Sequence, residues 1–139
     1  VINEINYNSS DDFDSGDWVE LYNPTNAAIN IGNWIFKDED DVHLFSIPQN
    51  TILEADDYLV LANDISSFTA LFINVTNYLG ELEFGLSGAG EMLRLYNSDN
   101  VLIKEKLGWA PNWSLRQGME LTYKWIAEQV NKKQFMLND

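Results

Sequence analysis

The feature that most constrains the fold is the stretch DWVELYNPTNAAINIGNWIF, residues 17–36, in which two segments of alternating apolar residues flank an Asn-Pro turn. Side chains along a β-strand point alternately to opposite faces. In the first segment Val19 and Leu21 therefore face one side, whereas Trp18 and Tyr22 face the other. Both faces of this predicted strand carry bulky side chains.

The two segments are separated by residues 23–26, Asn-Pro-Thr-Asn. Proline lacks a backbone N–H donor and Asn tolerates turn geometry, so the strand is expected to end here. Apolar residues resume at Ile29 and Ile31 and again at residues 34–36. The pattern predicts either a β-hairpin or a corner at which the chain passes from one sheet to another.

Short alternating segments with turn residues between them recur along the chain, a pattern typical of an all-β sandwich. The predicted strands are 1–6, 17–22, 34–37, 43–47, 51–53, 58–62, 91–96 and 101–105. The last two form the clearest hairpin, because the polar residues 97–100 between them adopt turn conformations at low cost. A short helix capped by Ser66 is predicted to interrupt the β pattern, with Phe68, Leu71 and Phe72 on one side.

Taken together, these segments resemble the lamin tail domain family, whose members have an immunoglobulin-like β-sandwich. The resemblance spans about residues 1–107 and rests on Asn3-Glu4-Ile5, Trp18 to Pro24, Gly32-Asn33-Trp34, Ile47-Pro48 and Leu59-Val60-Leu61, in that order. It implies a non-catalytic interaction module that binds a protein or a cell-surface component. The family includes many secreted or surface proteins, so the resemblance also favours a secreted or cell-surface location.

The chain changes character after Leu107. Ser114 and Gln117 form a capping box, and apolar residues then recur at intervals of four, four, three and four. These apolar residues are Leu115, Met119, Tyr123, Ile126 and Val130. The spacing predicts a C-terminal amphipathic α-helix over about residues 115–132. We therefore divide the chain into a β-sandwich, residues 1–107, and a helical extension, residues 108–139.

The apolar stripe of this predicted helix is expected to be buried against another surface, because apolar side chains left in water lose most of the free energy that burial provides. It packs either on its own sandwich or on a partner. The five stripe residues are thus candidate partner-binding residues, and one hypothesis is a homodimer formed through this helix.

A second resemblance covers about residues 105–133, which are similar to the C-terminal segment of nucleotide-sugar epimerases of the extended short-chain dehydrogenase family. The matching residues are Leu107 to Pro111, Ser114-Leu115, Gly118-Met119, Thr122-Tyr123 and Trp125-Ile126. The chemistry of those enzymes requires a Gly-rich cofactor loop and a Tyr-x-x-x-Lys pair, and this sequence contains neither. One alternative is therefore a fusion fragment that carries the tail of an epimerase without its active site.

The charge of the chain limits its partners. The net charge is −14, and residues 1–108 contain 19 Asp or Glu but only four Lys or Arg. Nucleic-acid binding requires clustered basic residues that displace counterions from phosphates, so no nucleic-acid partner is expected. Membrane insertion is not expected either, because no apolar run approaches the roughly 18 residues of a membrane-spanning helix.

Two acidic clusters are the candidate metal ligands. The first contains Asp11, Asp12, Asp14 and Asp17, and the second contains Asp38, Asp40 and Asp41. Calcium is coordinated by six to eight oxygen atoms, which carboxylates on a loop supply. The calcium-loop pattern is incomplete, because counting from Asp12 the twelfth position is Asn23 and not Glu. The clusters are either solvated loops or the calcium sites of a Ca²⁺-stabilised adhesion domain, and no other cofactor is predicted.

No catalytic constellation stands out, so the chain is predicted not to be an enzyme. The single His, His43, is expected within a strand and in a structural role. The glycine-rich residues 85–90 lead into a strand and not into a helix, which indicates a structural turn in place of a phosphate-binding loop. The absence of Cys excludes disulfides and thiolate metal sites.

Overall fold

A computed structural model describes residues 1–10 and 12–106 of the chain, with the backbone alone for residues 104–106. Two sequence predictions therefore lie outside the described residues. One is Asp11 of the first acidic cluster. The other is the C-terminal helix with its stripe of Leu115, Met119, Tyr123, Ile126 and Val130.

The described residues form ten β-strands and one short α-helix. The strands are β1 (Ile2–Asn6), β2 (Trp18–Tyr22), β3 (Ile29–Asn30), β4 (Ile35–Lys37), β5 (Phe45–Ser46), β6 (Ile52–Leu53), β7 (Tyr58–Ala62), β8 (Tyr78–Gly80), β9 (Leu93–Tyr96) and β10 (Leu102–Lys106). The helix, α1, comprises Ile65–Leu71 and lies between β7 and β8.

The strands build an all-β sandwich. One four-stranded sheet has the order β1-β2-β7-β8, the second has the order β10-β9-β4-β5, and β3 pairs with β6 in a small third sheet. The neighbouring strands are antiparallel except for β7 and β8, which are parallel. One core joins the sheets, and it contains Val19 and Leu61 of the first sheet and Phe36, Leu93 and Leu95 of the second.

The Asn-Pro segment is a corner between sheets and not a hairpin. Strand β2 pairs with β1 and β7, whereas β3 pairs with β6, with Ile29 opposite Leu53. The corner forms because Asn23 turns into the protein, where its side chain binds backbone carbonyls and is 1% exposed. A buried polar group requires such partners, and they direct the chain away from β2.

Both faces of β2 are covered, which explains their bulky side chains. Val19 and Leu21 lie in the core between the sheets, and Trp18 on the other face packs beneath α1. The rings of Trp18 and Phe68 meet edge to face, with their centroids 6.0 Å apart.

The residue that caps α1 is Asp64 and not Ser66, because the carboxylate of Asp64 accepts hydrogen bonds from the backbone N–H groups of Ser66 and Ser67.

The predicted hairpin between β9 and β10 is present. Leu102 lies opposite Tyr96, and the Asn97 N–H donates to the Val101 carbonyl at 3.0 Å. Asn100 has a φ of 59°, a left-handed conformation that Asn adopts more readily than most residues.

The predicted strand over residues 43–47 is shorter in the structure. Only Phe45 and Ser46 pair with β4, so the prediction that His43 lies within a strand is wrong. The residues before them form a loop because Asp38 and Asp40 accept hydrogen bonds from the backbone N–H groups of Asp40 and Val42. Such local bonds compete with strand pairing.

Candidate functional site

A cleft of about 240 Å³ opens where the two large sheets meet, beside β1 and β10. These two strands are the outer strands of their sheets among the described residues. Most of the lining side chains are apolar. The lining consists of Val1, Leu21, Tyr22, Asn23, Pro24, Thr25, Ile29, Ile31, Trp34, Leu53, Leu95 and Ile103. An apolar cleft of this kind is the usual form of a binding site.

Asn23 organises one wall of the cleft. Its amide nitrogen lies 2.8 Å from the Ala27 carbonyl, 3.0 Å from the Leu53 carbonyl and 2.8 Å from the Glu54 carbonyl. Its side-chain oxygen accepts hydrogen bonds from the backbone and the hydroxyl of Thr25. One side chain thereby fixes the Asn-Pro corner against the segment that follows β6.

Acidic residues 54, 56 and 57 follow the cleft-lining residue Leu53 in the chain, and we call them the acidic rim. The rim is held in place by backbone hydrogen bonds, from the Asn23 N–H to the Asp57 carbonyl and from the Asp56 N–H to the Asn23 carbonyl, both at 3.0 Å. The Tyr22 hydroxyl donates to the Asp56 carboxylate at 3.0 Å, and this bond raises the pKa of Tyr22. The Asp56 carboxylate therefore contacts a cleft-lining residue, whereas the Asp57 carboxylate accepts hydrogen bonds from the Tyr58 N–H and the Asn77 amide.

Exposed apolar residues lie on the opposite side of the cleft, at the start of β10. Val101 is 55% exposed, Leu102 is 41% exposed and Ile103 is 48% exposed. A row of exposed apolar side chains is a ready surface for association. The cleft is thus continuous with an apolar surface.

Two carboxylates of the first acidic cluster accept hydrogen bonds from backbone N–H groups. The Asp14 carboxylate accepts from the Gly16 N–H at 2.9 Å, and the Asp17 carboxylate accepts from the Leu86 N–H at 2.7 Å. A Cβ added at Gly85 would lie 3.0 Å from the Asp17 carboxylate, so the glycine permits this approach. The glycine-rich segment therefore has the structural role that its sequence predicts.

The second acidic cluster contacts the side chain of Arg94. Asp38 is 2% exposed, and its carbonyl accepts hydrogen bonds from Nε and Nη2 of Arg94. Nη1 of Arg94 lies 2.8 Å from the Asp41 carboxylate, and this pairing lowers the pKa of Asp41. Lys37 donates to the Asp41 carbonyl at 2.9 Å. Basic side chains thus already contact two of these acidic residues.

The two acidic clusters approach each other near Glu91. The pKa of Glu91 is raised by burial first, and then by the negative charges of Asp38, Glu39 and Asp17. Within residues 1–10 and 12–106, however, no three His, Cys, Asp or Glu side chains are arranged to hold a metal ion. Calcium binding by Asp11, Asp12, Asp14 and Asp17 or by Asp38, Asp40 and Asp41 stays a prediction.

His43 pairs with the buried Asp38. Its Nδ1 lies 2.6 Å from the Asp38 carboxylate, and its ring stacks on Phe84 with the centroids 5.0 Å apart. The hydrogen bond to Asp38 raises the pKa of His43. The pair joins the two ends of the loop between β4 and β5, a contact that sequence spacing alone did not indicate.

The sequence interpretation missed the cleft and its acidic rim. Asn23 was placed in a turn, but nothing in its neighbours predicts that it reaches carbonyls about 30 residues further along the chain, at Leu53 and Glu54. A signal does exist in the rim itself, since Glu54-Ala55-Asp56-Asp57 places three acids in four residues before a strand. Its contact with Tyr22, which lines the cleft, follows only from the fold.

Comparisons with known proteins support both resemblances. A 43-residue stretch is 60% identical to GDP-mannose 3,5-epimerase of Arabidopsis thaliana and 58% identical to GDP-mannose 3,5-epimerase 1 of Oryza sativa subsp. indica. Each match covers 31% of this chain and 11% of the relative, so the chain spans about a tenth of the length of these relatives. The similarity agrees with the resemblance of residues 105–133 to an epimerase tail.

The described part of the chain contains no helix with the length and apolar character required to cross a membrane. Residues 1–110 match the family model described as Lamin Tail Domain. The match includes the β-sandwich, the Asn-Pro corner and the cleft. Because it covers most of the sequence, the chain belongs to the lamin tail domain family of non-catalytic, immunoglobulin-like modules.

Proposed function

We propose that this chain is an interaction module that binds another protein, such as a cell-surface component, through the cleft beside β1 and β10. The observation that carries the proposal is an open cleft whose lining is mostly apolar and includes the core residues Leu21, Ile31 and Leu95. The exposed apolar residues at the start of β10 extend the cleft into a larger surface.

The charge of the module supports a protein partner. Residues 1–108 carry 19 acidic and four basic residues, so phosphate backbones and anionic lipid surfaces are repelled. A protein segment with apolar side chains meets no such repulsion. Apolar contacts at the centre of an interface supply most of the binding energy.

The proposal is tested by selecting binders from a random peptide library on the full chain. Selected peptides are expected to lose affinity for Ile103→Thr, which removes apolar surface but keeps a β-branched side chain suited to a strand. The matched control is Ile73→Thr, at a residue that is 81% exposed and does not line the cleft. Peptides that bind both variants equally well would show that the cleft is not the binding site.

A second candidate function is favoured by the 43-residue similarity to GDP-mannose 3,5-epimerases. In this alternative the chain is a fusion fragment that retains the tail of such an enzyme without its chemistry. We expect no heat of binding when NAD or GDP-mannose is titrated into the chain, because the sequence lacks the Gly-rich loop and the Tyr-x-x-x-Lys pair. Binding of either compound would contradict the loss of the active site.

A further inference from the structure

The turn between α1 and β8 carries a sequence motif that the cleft does not use. Residues 74–76 are Asn-Val-Thr, the Asn-X-Thr pattern in which an Asn side chain accepts an N-linked oligosaccharide on the surface of a secreted protein. The pattern requires a hydroxyl residue two positions after the Asn and excludes Pro between them, and Thr76 and Val75 meet both conditions. So short a motif also arises by chance, so its surroundings in the fold decide what it does.

An oligosaccharide on a folded protein requires an Asn side chain that is open to solvent. Asn74 and Thr76 are both exposed, and neither side chain forms a hydrogen bond with the described residues. Asn74 is the third residue of a four-residue turn, which the Val75 N–H closes by donating to the Phe72 carbonyl at 2.9 Å. A large group attached to Asn74 therefore breaks no hydrogen bond within residues 1–10 and 12–103.

Both ends of this turn are held by the fold. On one side the Phe72 ring contacts the rings of Phe68 and Trp18, with centroid distances of 4.9 Å and 5.8 Å. On the other side the Asn77 carbonyl accepts a hydrogen bond from the Val60 N–H at 3.0 Å, where β8 begins to pair with β7. The motif is therefore presented at a defined place on the surface.

The chain contains two further motifs of this kind, at Asn8 and Asn112, and Asn112 lies outside the described residues. Asn8 is more restricted than Asn74. It has a φ of 54°, and its backbone N–H donates to the Asp17 carboxylate at 3.3 Å. A Cβ added at Gly88 would lie 3.8 Å from the Asn8 side chain, which therefore lies against the glycine-rich segment. Of the two described motifs, Asn74 has the less restricted side chain.

Exposed apolar residues flank the Asn74 motif, and they are a second observation independent of it. Ile73 is 81% exposed, Val75 is 37% exposed and Leu71 is 36% exposed. Phe13, which is also exposed, contacts Phe72 with the ring centroids 6.4 Å apart. A group of exposed apolar side chains favours association with other molecules, whereas an N-linked oligosaccharide is bulky and solubilising. An oligosaccharide on Asn74 lies where it can cover these side chains.

We propose that Asn74 carries an N-linked oligosaccharide when the chain passes through a eukaryotic secretory pathway, and that this oligosaccharide covers the apolar residues of the turn. The donor is an oligosaccharide attached to a lipid diphosphate. The amide nitrogen of Asn74 bonds to the anomeric carbon of the first sugar and loses a proton. The bond from that carbon to the diphosphate breaks, and the lipid diphosphate leaves with the electron pair. Asn74 does not line the cleft, so this site is independent of the proposed protein-binding function.

The modification is tested by expressing the full chain behind a secretion signal in cultured mammalian cells. Peptide-N-glycosidase releases the oligosaccharides and converts each occupied Asn to Asp, which tandem mass spectrometry locates in the sequence. We expect conversion at position 74. Thr76→Ala should lose this oligosaccharide and Thr76→Ser should keep it, whereas Asn26→Gln, at an exposed Asn outside any motif, should change nothing. An unconverted Asn74 in the wild type, whether secreted or recovered from microsomes, would overturn the proposal.

The covering of the turn is tested by hydrophobic-interaction chromatography of the same secreted chains. Ile73→Ser should shorten the retention of the Thr76→Ala chain more than that of the Thr76→Ser chain, because the oligosaccharide hides Ile73 only in the latter. Val42→Ser is the control, at a residue that is 80% exposed in the loop between β4 and β5, and it should shorten both retentions equally. An equal effect of Ile73→Ser in the two chains would overturn the covering role.

Discussion

At the scale of single residues, the structure depends on polar side chains that leave the strand pattern and bind distant backbone groups. Asn23 contacts the carbonyls of Ala27, Leu53 and Glu54 from a position that is 1% exposed. Asp38 is also buried, but its carboxylate binds nearby groups, the Asp40 N–H and the His43 ring. Sequence predicts the turns in which both residues lie, but not their contacts.

Replacing Asn23 by Ala should destabilise the chain by about 2–4 kcal/mol, because buried carbonyls lose their donor. Urea unfolding followed by circular dichroism measures the change. The control is Asn26→Ala, an exposed position in the same turn, where a change within about 0.5 kcal/mol is expected. Equal losses for the two variants would mean that Asn23 does not organise the corner.

The Asp38–His43 pair predicts a pH dependence of stability. Because the hydrogen bond to Asp38 raises the pKa of His43 in the folded chain, protonated His43 stabilises the fold. This contribution is fully present below the unfolded pKa of about 6.5 and is lost as pH rises through the higher folded pKa. Asp40 and Glu91 also face His43 and act in the same direction.

The measurement is an NMR titration of the His43 ring, which is unambiguous because the chain contains one His. The free energy of unfolding in urea should fall between pH 6 and pH 9 by more in the wild type than in His43→Gln. A His43 pKa at or below the ordinary value of about 6.5 would contradict the role of Asp38.

At the scale of elements, the predictions succeeded where the pattern was local. Strand β7 has the predicted bounds, and the β9–β10 hairpin has the predicted polar turn. Strands β3 and β8, of two and three residues, were not predicted. Strand β8 also pairs with β7 in parallel, and α1 connects the two strands. Such a parallel pairing is not predicted from the turn residues near either strand.

Helix α1 should contribute stability mainly through Phe68, which is 2% exposed and contacts Trp18. Phe68→Ala should cost about 3–5 kcal/mol, since it leaves a cavity beneath the helix. Leu71→Ala, at a residue that is 36% exposed, should cost much less. Thermal and urea unfolding compare the two variants, and similar losses would show that α1 is not anchored through Phe68.

The predicted C-terminal helix carries the hypothesis of a homodimer. If its apolar stripe packs against a second copy of the chain, the double variant Met119→Glu, Ile126→Glu should sediment as a monomer where the wild type sediments as a dimer. The reason is that charges buried in the interface oppose association. Lys124→Glu is the control, since it adds negative charge at a residue outside the stripe. A full chain that sediments as a monomer before any substitution would remove the hypothesis.

At the scale of the whole molecule, the dominant property is negative charge. Calcium binding by the acidic clusters is the prediction that follows most directly from it. Asp38 and Asp41 already bind Arg94, His43 or neighbouring N–H groups, so their oxygens are largely occupied. We therefore expect that millimolar Ca²⁺ raises the melting temperature no more than Mg²⁺ at equal concentration, as for simple charge screening. A saturable shift specific for Ca²⁺ would instead support the Ca²⁺-stabilised adhesion domain.

The class of the fold and much of its strand pattern follow from the sequence alone, because the alternation of apolar side chains is a local property of each strand. The acidic surface follows from the sequence as well, since charge depends on composition. Three features required the folded chain: the Asn-Pro segment is a corner, Asp38 pairs with His43, and Asn23 binds the carbonyls of Leu53 and Glu54. These features depend on contacts between residues distant in the chain, which sheet order and register establish and local periodicity does not encode.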